Sequence, residues 1–125
     1  MKRHIGYFLD ISALLVSCFA FAEEQSASGE VLAKCKMPPN PTGPNGRTAN
    51  KDEMLSAQKG MKDYMTHGDE YLACLKGMET GWGENITEEQ KAVIVIFNNR
   101  AVDEMQAVAD LFNQAVRAYK GKEGQ

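Results

Sequence analysis

Residues 50–78 read NKDEMLSAQKGMKDYMTHGDEYLACLKGM, and their pattern is the strongest indication of the fold. Apolar or small residues recur in it at intervals of three and four without a break: Met54, Ala57, Met61, Tyr64, Gly68, Tyr71, Leu75 and Met78. This spacing places them on one face of an α-helix, and the seven-residue repeat is typical of a helix that packs lengthwise on another. Asn50 and Glu53 are spaced as a capping box, so we predict that the helix begins at residue 51. Gly77 and Gly81 predict its end, near residue 78.

Residues 87–120 have the same organisation. Thr87 and Gln90 form a second capping box, and the apolar seam that follows is Ile94, Asn98, Ala101, Met105, Val108, Phe112, Ala115 and Tyr119. A second stripe, at seven-residue spacing, consists of Val95, Val102, Ala109 and Val116. The short connection between the two helices predicts an antiparallel pair. The predicted fold class is therefore all-α, a long two-helix hairpin over about 51–78 and 88–120, with Gly121 ending the second helix and 121–125 as a flexible tail.

The seams also predict a register for the hairpin. If the numbers of facing residues sum to 165 or 166, Met54 meets Phe112 and Gly68 meets Asn98. Large residues then mostly oppose small ones, as close packing requires.

A proline-rich arm precedes the hairpin. All four prolines of the chain lie between residues 38 and 44, where they exclude a helix or a central strand. Pro38, Pro41 and Pro44 are three residues apart, which is one turn of polyproline II, so their rings stack along one face. We expect residues 23–50 to form a lead-in and an extended arm that runs antiparallel to the first long helix, with the rings near Tyr64 and Tyr71.

The amino terminus predicts export. Lys2 and Arg3 precede the apolar run 11–22, and Ala20 and Ala22 supply the small residues that signal peptidase requires, so we predict that residues 1–22 are a signal peptide. Within the same run, residues 15–18 read LVSC, which also fits a bacterial lipobox. In that alternative Cys18 is lipidated and anchors the chain.

Cleavage after Ala22 removes Lys2, Arg3 and Asp10 from the 14 basic and 17 acidic residues, which leaves a net charge of −4. This balance argues against nucleic acid as a partner, and no second apolar stretch is long enough to span a membrane.

Two cysteines remain after export. Such a pair in a small exported domain usually forms one disulfide, here Cys35–Cys74, with two free thiols as the alternative. From Asn50 to Cys74 is roughly 36 Å of helix, and the 15 residues from Cys35 to Asn50 reach roughly 46 Å as polyproline II, so the arm is long enough to close the bridge.

No catalytic or phosphate-binding motif occurs in the sequence, and we expect no enzyme activity and no cofactor. Met61 and Met65 share a helix face and have thioethers that suit copper, which leaves a soft-metal site as the alternative function, although core packing explains both. The run 92–97 (AVIVIF) is apolar on every side of its helix. Val93, Ile96 and Phe97 therefore form a candidate surface for a partner, unless the N-terminal segment covers them.

The chain resembles an uncharacterised family of small exported proteobacterial proteins. The shared features are CKMPPNPTGPNG at 35–46, YLACL at 71–75, and NRAVDEMQAVADLFN at 99–113 followed by Arg117-Ala118-Tyr119. The resemblance implies export and a helical body, and it carries no activity. From all of these features we expect a periplasmic protein that acts through contacts with another envelope protein or with itself.

Overall fold

The computed structural model describes residues 26–124. In chain order it contains α1 (Ala27–Lys34), α2 (Lys51–Trp82), a short 3₁₀ turn (Gly83–Asn85) and α3 (Glu88–Glu123). The described part of the chain has no strand, and α2 packs against α3 as an antiparallel hairpin, so the predicted fold class is confirmed. The predicted signal peptide and the lipobox at Cys18 lie outside the described residues.

Both long helices begin as predicted. The Asn50 side chain accepts a hydrogen bond from the Glu53 amide while the Glu53 carboxylate accepts one from the Asn50 amide, at 2.9 and 2.8 Å. Thr87 and Gln90 repeat the arrangement at 3.1 and 2.9 Å. Each box gives partners to amides that the first helical turn cannot satisfy.

The predicted ends of the helices are wrong. α2 passes through Gly77 and Gly81 and ends at Trp82, where Gly83 turns the chain with φ of 73°. A glycine inside a helix costs only about 1 kcal/mol relative to alanine, and the contacts of Met78 and Trp82 with the core offset that cost. α3 likewise continues past Gly121 to Glu123.

The predicted register is also wrong, by one heptad. Gly68 packs under Met105 and not under Asn98, and Tyr64 lies in one cluster with Met105 and Val108. Facing residue numbers therefore sum to 172 or 173. Because the seams repeat every seven residues, a shift of seven keeps apolar residues facing each other. α2 extends to Trp82, and five residues connect it to α3. The turn of the hairpin therefore lies at higher residue numbers than the predicted register required.

Helix α1 and the arm close one side of the hairpin. Val31 is fully buried and packs with Leu75, Met78, Val93 and Ile94 at the end of the hairpin near its loop. At the other end Ala49 packs with Met54 and Ala115. The arm thus spans the distance between the two ends. No helix within residues 26–124 is long and apolar enough to cross a membrane.

Candidate interaction surface

The bridge between Cys35 and Cys74 ties the beginning of the arm to the last third of α2. The two sulfur atoms lie at disulfide distance and the Cα atoms are 5.8 Å apart, within the range of ordinary disulfides. Cys35 is buried, whereas Cys74 is half-buried beside the carbonyl of Lys34. The bridge therefore sits where α1 passes into the arm.

The arm runs antiparallel to α2, but it lies over the groove between α2 and α3 and not on α2 alone. Pro41 and Pro44 line a depression together with Met61, Val108 and Phe112, which come from both helices. Pro38, Pro41 and Pro44 are all half-buried while Pro39 is exposed, which agrees with a three-residue repeat of the inward face. The groove offers apolar side chains from both helices to the proline rings, which agrees with the position of the arm.

Tyr64 and Tyr71, which we expected to lie near proline rings, lie beside other residues of the arm. The Tyr64 hydroxyl donates a hydrogen bond of 2.9 Å to the Asn40 side chain. Tyr71 lines a cavity with Cys35 and Met37 from the arm and with Arg100 and Glu104 from α3.

Both of these tyrosines have a pKa above the ordinary value of 10.0. Burial is the main cause for each, and the nearby Glu104 carboxylate adds to it. The Arg100 guanidinium partly opposes the effect at Tyr71. The phenols under the arm are therefore held in the neutral form.

The last turn of the arm lies against the backbone of α3. A β-carbon at Gly46 would overlap the carbonyl oxygen of Ala115 and would lie 3.0 Å from the Tyr119 amide nitrogen. The Lys122 amine donates a hydrogen bond to the carbonyl of Ala49. The arm is thus fixed at three levels, by the bridge, by Asn40 and by this contact.

The partner surface expected at residues 93–97 is mostly covered. Val93 is 8 % exposed because α1 packs over it, and Phe97 is half-buried in the same cluster. Only Ile96 of the three predicted residues is open to solvent, at 62 %. The prediction is therefore wrong for Val93, and the large residues of this run that stay exposed are Val95 and Ile96.

Two of the exposed apolar residues of α3 belong to the second stripe, while Ile96 and Leu111 lie outside it. Val95 and Val102 are 56 % and 43 % exposed, and Ala109 and Val116 are half-buried at the next two seven-residue steps. Sequence reasoning had found this stripe but had not recognised it as the uncovered one. The face of a helix that an arm covers depends on tertiary packing, so no local signal distinguished it.

The neighbouring side of α2 borders this surface. Glu79 and Val95 line one groove between the long helices. One heptad further along each antiparallel helix come Leu72 and Val102, and Leu72 is half-buried. The side of the hairpin away from the arm therefore carries an apolar band on α3, which lies beside Leu72 and beside the charged Lys76 and Glu79 of α2.

The methionines considered for copper have a packing role. Met61 and Met65 pack against the cluster of Tyr64, Met105 and Val108. Within residues 26–124 no three His, Cys, Asp or Glu side chains come together in a way that could hold a metal ion. A copper site therefore stays a prediction from the sequence.

No protein-family model, curated protein or solved structure matches the chain. The fold and the uncovered band define the class of molecule, a disulfide-tied helical hairpin with one open apolar face. The resemblance to exported proteobacterial proteins stays a prediction.

Proposed function

We propose that this chain is a non-enzymatic protein of the bacterial periplasm or envelope that acts through protein contacts, and that the contact face is the band along α3 centred on Val102. The exposure of Val95 and Val102 carries the proposal. Val95 and the adjacent Ile96 are contiguous and exposed, and contiguous apolar residues on a protein surface commonly mark a binding site for another protein. The arm leaves this face open while it closes the opposite one.

The proposed compartment rests on the cysteine pair. A disulfide at Cys35 and Cys74 persists in oxidising compartments, which agrees with export by the predicted signal. Intact-mass measurement of the protein from its native host distinguishes the two predicted amino termini. A chain that begins at Glu23 supports cleavage after Ala22, and a chain that begins at an acylated Cys18 supports the lipobox.

Photo-crosslinking in cells tests the contact face. A photoreactive residue in place of Val102 is expected to give an adduct of one discrete mass, and the same residue in place of Leu55 is the control. Leu55 is 52 % exposed on α2 but lies outside the band. A matching adduct at both positions, or none at Val102, would contradict the proposal.

A further inference from the structure

The second stripe of α3 has the spacing of a coiled-coil seam, with Val95 and Val102 exposed and with Val116 packed partly against Ala49 and Met54. It alternates small apolar residues with side-chain amides at intervals of four and three: Val95, Asn99, Val102, Gln106, Ala109, Asn113 and Val116. We call these seven residues the α3 stripe. It extends over 21 residue steps, roughly 32 Å, and contains no charge. The three amide residues are exposed. A helix that packs on the stripe must offer an uncharged seam with polar groups opposite the amides.

The α3 stripe fits itself when two copies run antiparallel. With a two-fold axis at Gln106, Asn99 of one copy meets Asn113 of the other, so each amide faces an amide. Val102 then meets Ala109, and Val95 meets Val116. The residue numbers of facing pairs sum to 212 for the amides and to 211 for the apolar residues. Within the hairpin, the facing pairs of α2 and α3 likewise sum alternately to 173 and 172. The dimer would therefore use a packing geometry that this chain already uses.

The ends of α3 select the antiparallel direction. The first turn carries Glu88 and Glu89, and the last turn carries Lys120 and Lys122 together with Glu123. In the antiparallel register Glu89 of each copy faces Lys122 of the other, whereas Glu88 faces Glu123, so the side-chain charges at the ends largely cancel. The helix dipoles of antiparallel copies oppose each other, and those of parallel copies do not.

We propose that the occupant of the α3 stripe is a second copy of this chain, in an antiparallel, two-fold symmetric dimer with four long helices at its centre. This inference rests on the proposed function, because it names the partner at the same face. A two-fold interface uses one patch twice, which is why a self-matching seam is its requirement. Ile96 flanks the stripe and would add apolar contact at each end.

Sedimentation of the disulfide-bonded mature chain over a range of concentrations tests the dimer. The unaltered chain is expected to sediment as a dimer. Val102→Lys places two charges near the centre of the seam. It should raise the dissociation constant of the dimer by about 30-fold or more, which is the effect of a disruptive change at a central interface position. Leu55→Lys is the control, since it adds the same charge off the stripe and should leave the dimer intact.

Direction is tested by cysteine trapping. When Asn99→Cys and Asn113→Cys chains are mixed and oxidised, antiparallel copies give the mixed 99–113 crosslink. A parallel dimer gives 99–99 and 113–113 crosslinks and would overturn the proposed arrangement. If Val102→Lys loses helicity, Val95→Lys provides the same test at a position nearer to the end of the seam.

The inference and the proposed function can fail separately. An unaltered chain that stays monomeric at all concentrations overturns the dimer. If the photoreactive residue at position 102 still gives one discrete adduct, whose mass equals the mass of this chain plus that of a different protein, the proposed function stands with a different partner. If it gives no adduct, both are overturned.

Discussion

Gly68 lies directly under the Met105 side chain. A β-carbon at position 68 would come within 2.6 Å of the Met105 sulfur and 3.2 Å of its γ-carbon, so only glycine fits without displacing it. This pair fixes the register of the hairpin, because a shift by one heptad in either direction would place a different residue over the glycine.

Gly68→Ala is expected to lower the free energy of unfolding by about 1 kcal/mol. The alanine gains about 1 kcal/mol in helix propensity but crowds a buried methionine, and overpacking costs about 1–3 kcal/mol. Gly77→Ala is the control, since no atom lies within 4 Å of its new β-carbon, and it should gain about 1 kcal/mol. Chemical denaturation measures both.

The register itself is tested by a double-mutant cycle. In a Met105→Ala background the crowding is absent, so Gly68→Ala should become stabilising. Additive effects at positions 68 and 105 would contradict the facing of these two residues.

Gly46→Ala is expected to detach the end of the arm from α3. The added methyl group overlaps the backbone carbonyl of Ala115, which cannot move aside as a side chain can. We expect a loss of about 2 kcal/mol, in the range of other overpacking changes, and faster hydrogen exchange at residues 46–50. Gly43→Ala, with no atom within 4 Å of the new β-carbon, should leave both quantities unchanged. Equal effects of the two changes would argue against the docked turn.

Removal of the bridge by a Cys35→Ser/Cys74→Ser double change is expected to cost about 4 kcal/mol, on the chain-entropy model for a loop of this size. The half-cysteines are 39 residues apart, so the released segment includes the whole arm. Far-ultraviolet circular dichroism should retain most of the helix signal, because the seam between α2 and α3 does not involve the bridge. Complete loss of helix at room temperature would show that the hairpin depends on the arm.

Stability is expected to fall at alkaline pH because of Tyr64 and Tyr71. Burial and Glu104 raise the pKa of each phenol above 10.0 in the folded chain, so the folded state holds these protons more tightly than the unfolded state. The contribution is complete below pH 10.0 and is lost as the pH rises through the folded values. The Tyr64→Phe/Tyr71→Phe chain should show a shallower decline in the free energy of unfolding.

Titration of tyrosinate absorbance checks the cause. Glu104→Gln removes a carboxylate near both phenols and should lower their pKa values, while Glu79→Gln, on the other side of the hairpin, should not. An unchanged titration in Glu104→Gln would assign the raised pKa to burial alone.

Local patterns accounted for the two long helices of this fold, whereas α1, which lies in the predicted lead-in, was not predicted. The capping residues at Asn50 and Thr87 are visible within four residues of sequence, and the helices begin where they predict. The carboxyl-terminal ends of the helices could not be predicted from local sequence. Gly77 lies inside α2 because packing of Met78 and Trp82, and not local propensity, stabilises the helix there.

The candidate contact face likewise combines a pattern that is visible in the sequence with an outcome that depends on packing. The run 92–97 is apolar on all sides, and the sequence could not say which side α1 would cover. Packing of Val31 on Val93 buries that side, while Val95 stays open because the arm lies on the opposite face.

Spacing along single segments is enough to predict two long amphipathic helices, their starts, their antiparallel pairing and an arm long enough to bring Cys35 to Cys74. The heptad register, the groove that the arm occupies and the face of α3 that stays exposed could be read only from the packed molecule. A seven-residue repeat makes neighbouring registers nearly equivalent in apolar pairing, so the choice falls to single contacts between distant residues, such as Gly68 under Met105 and Gly46 on Ala115.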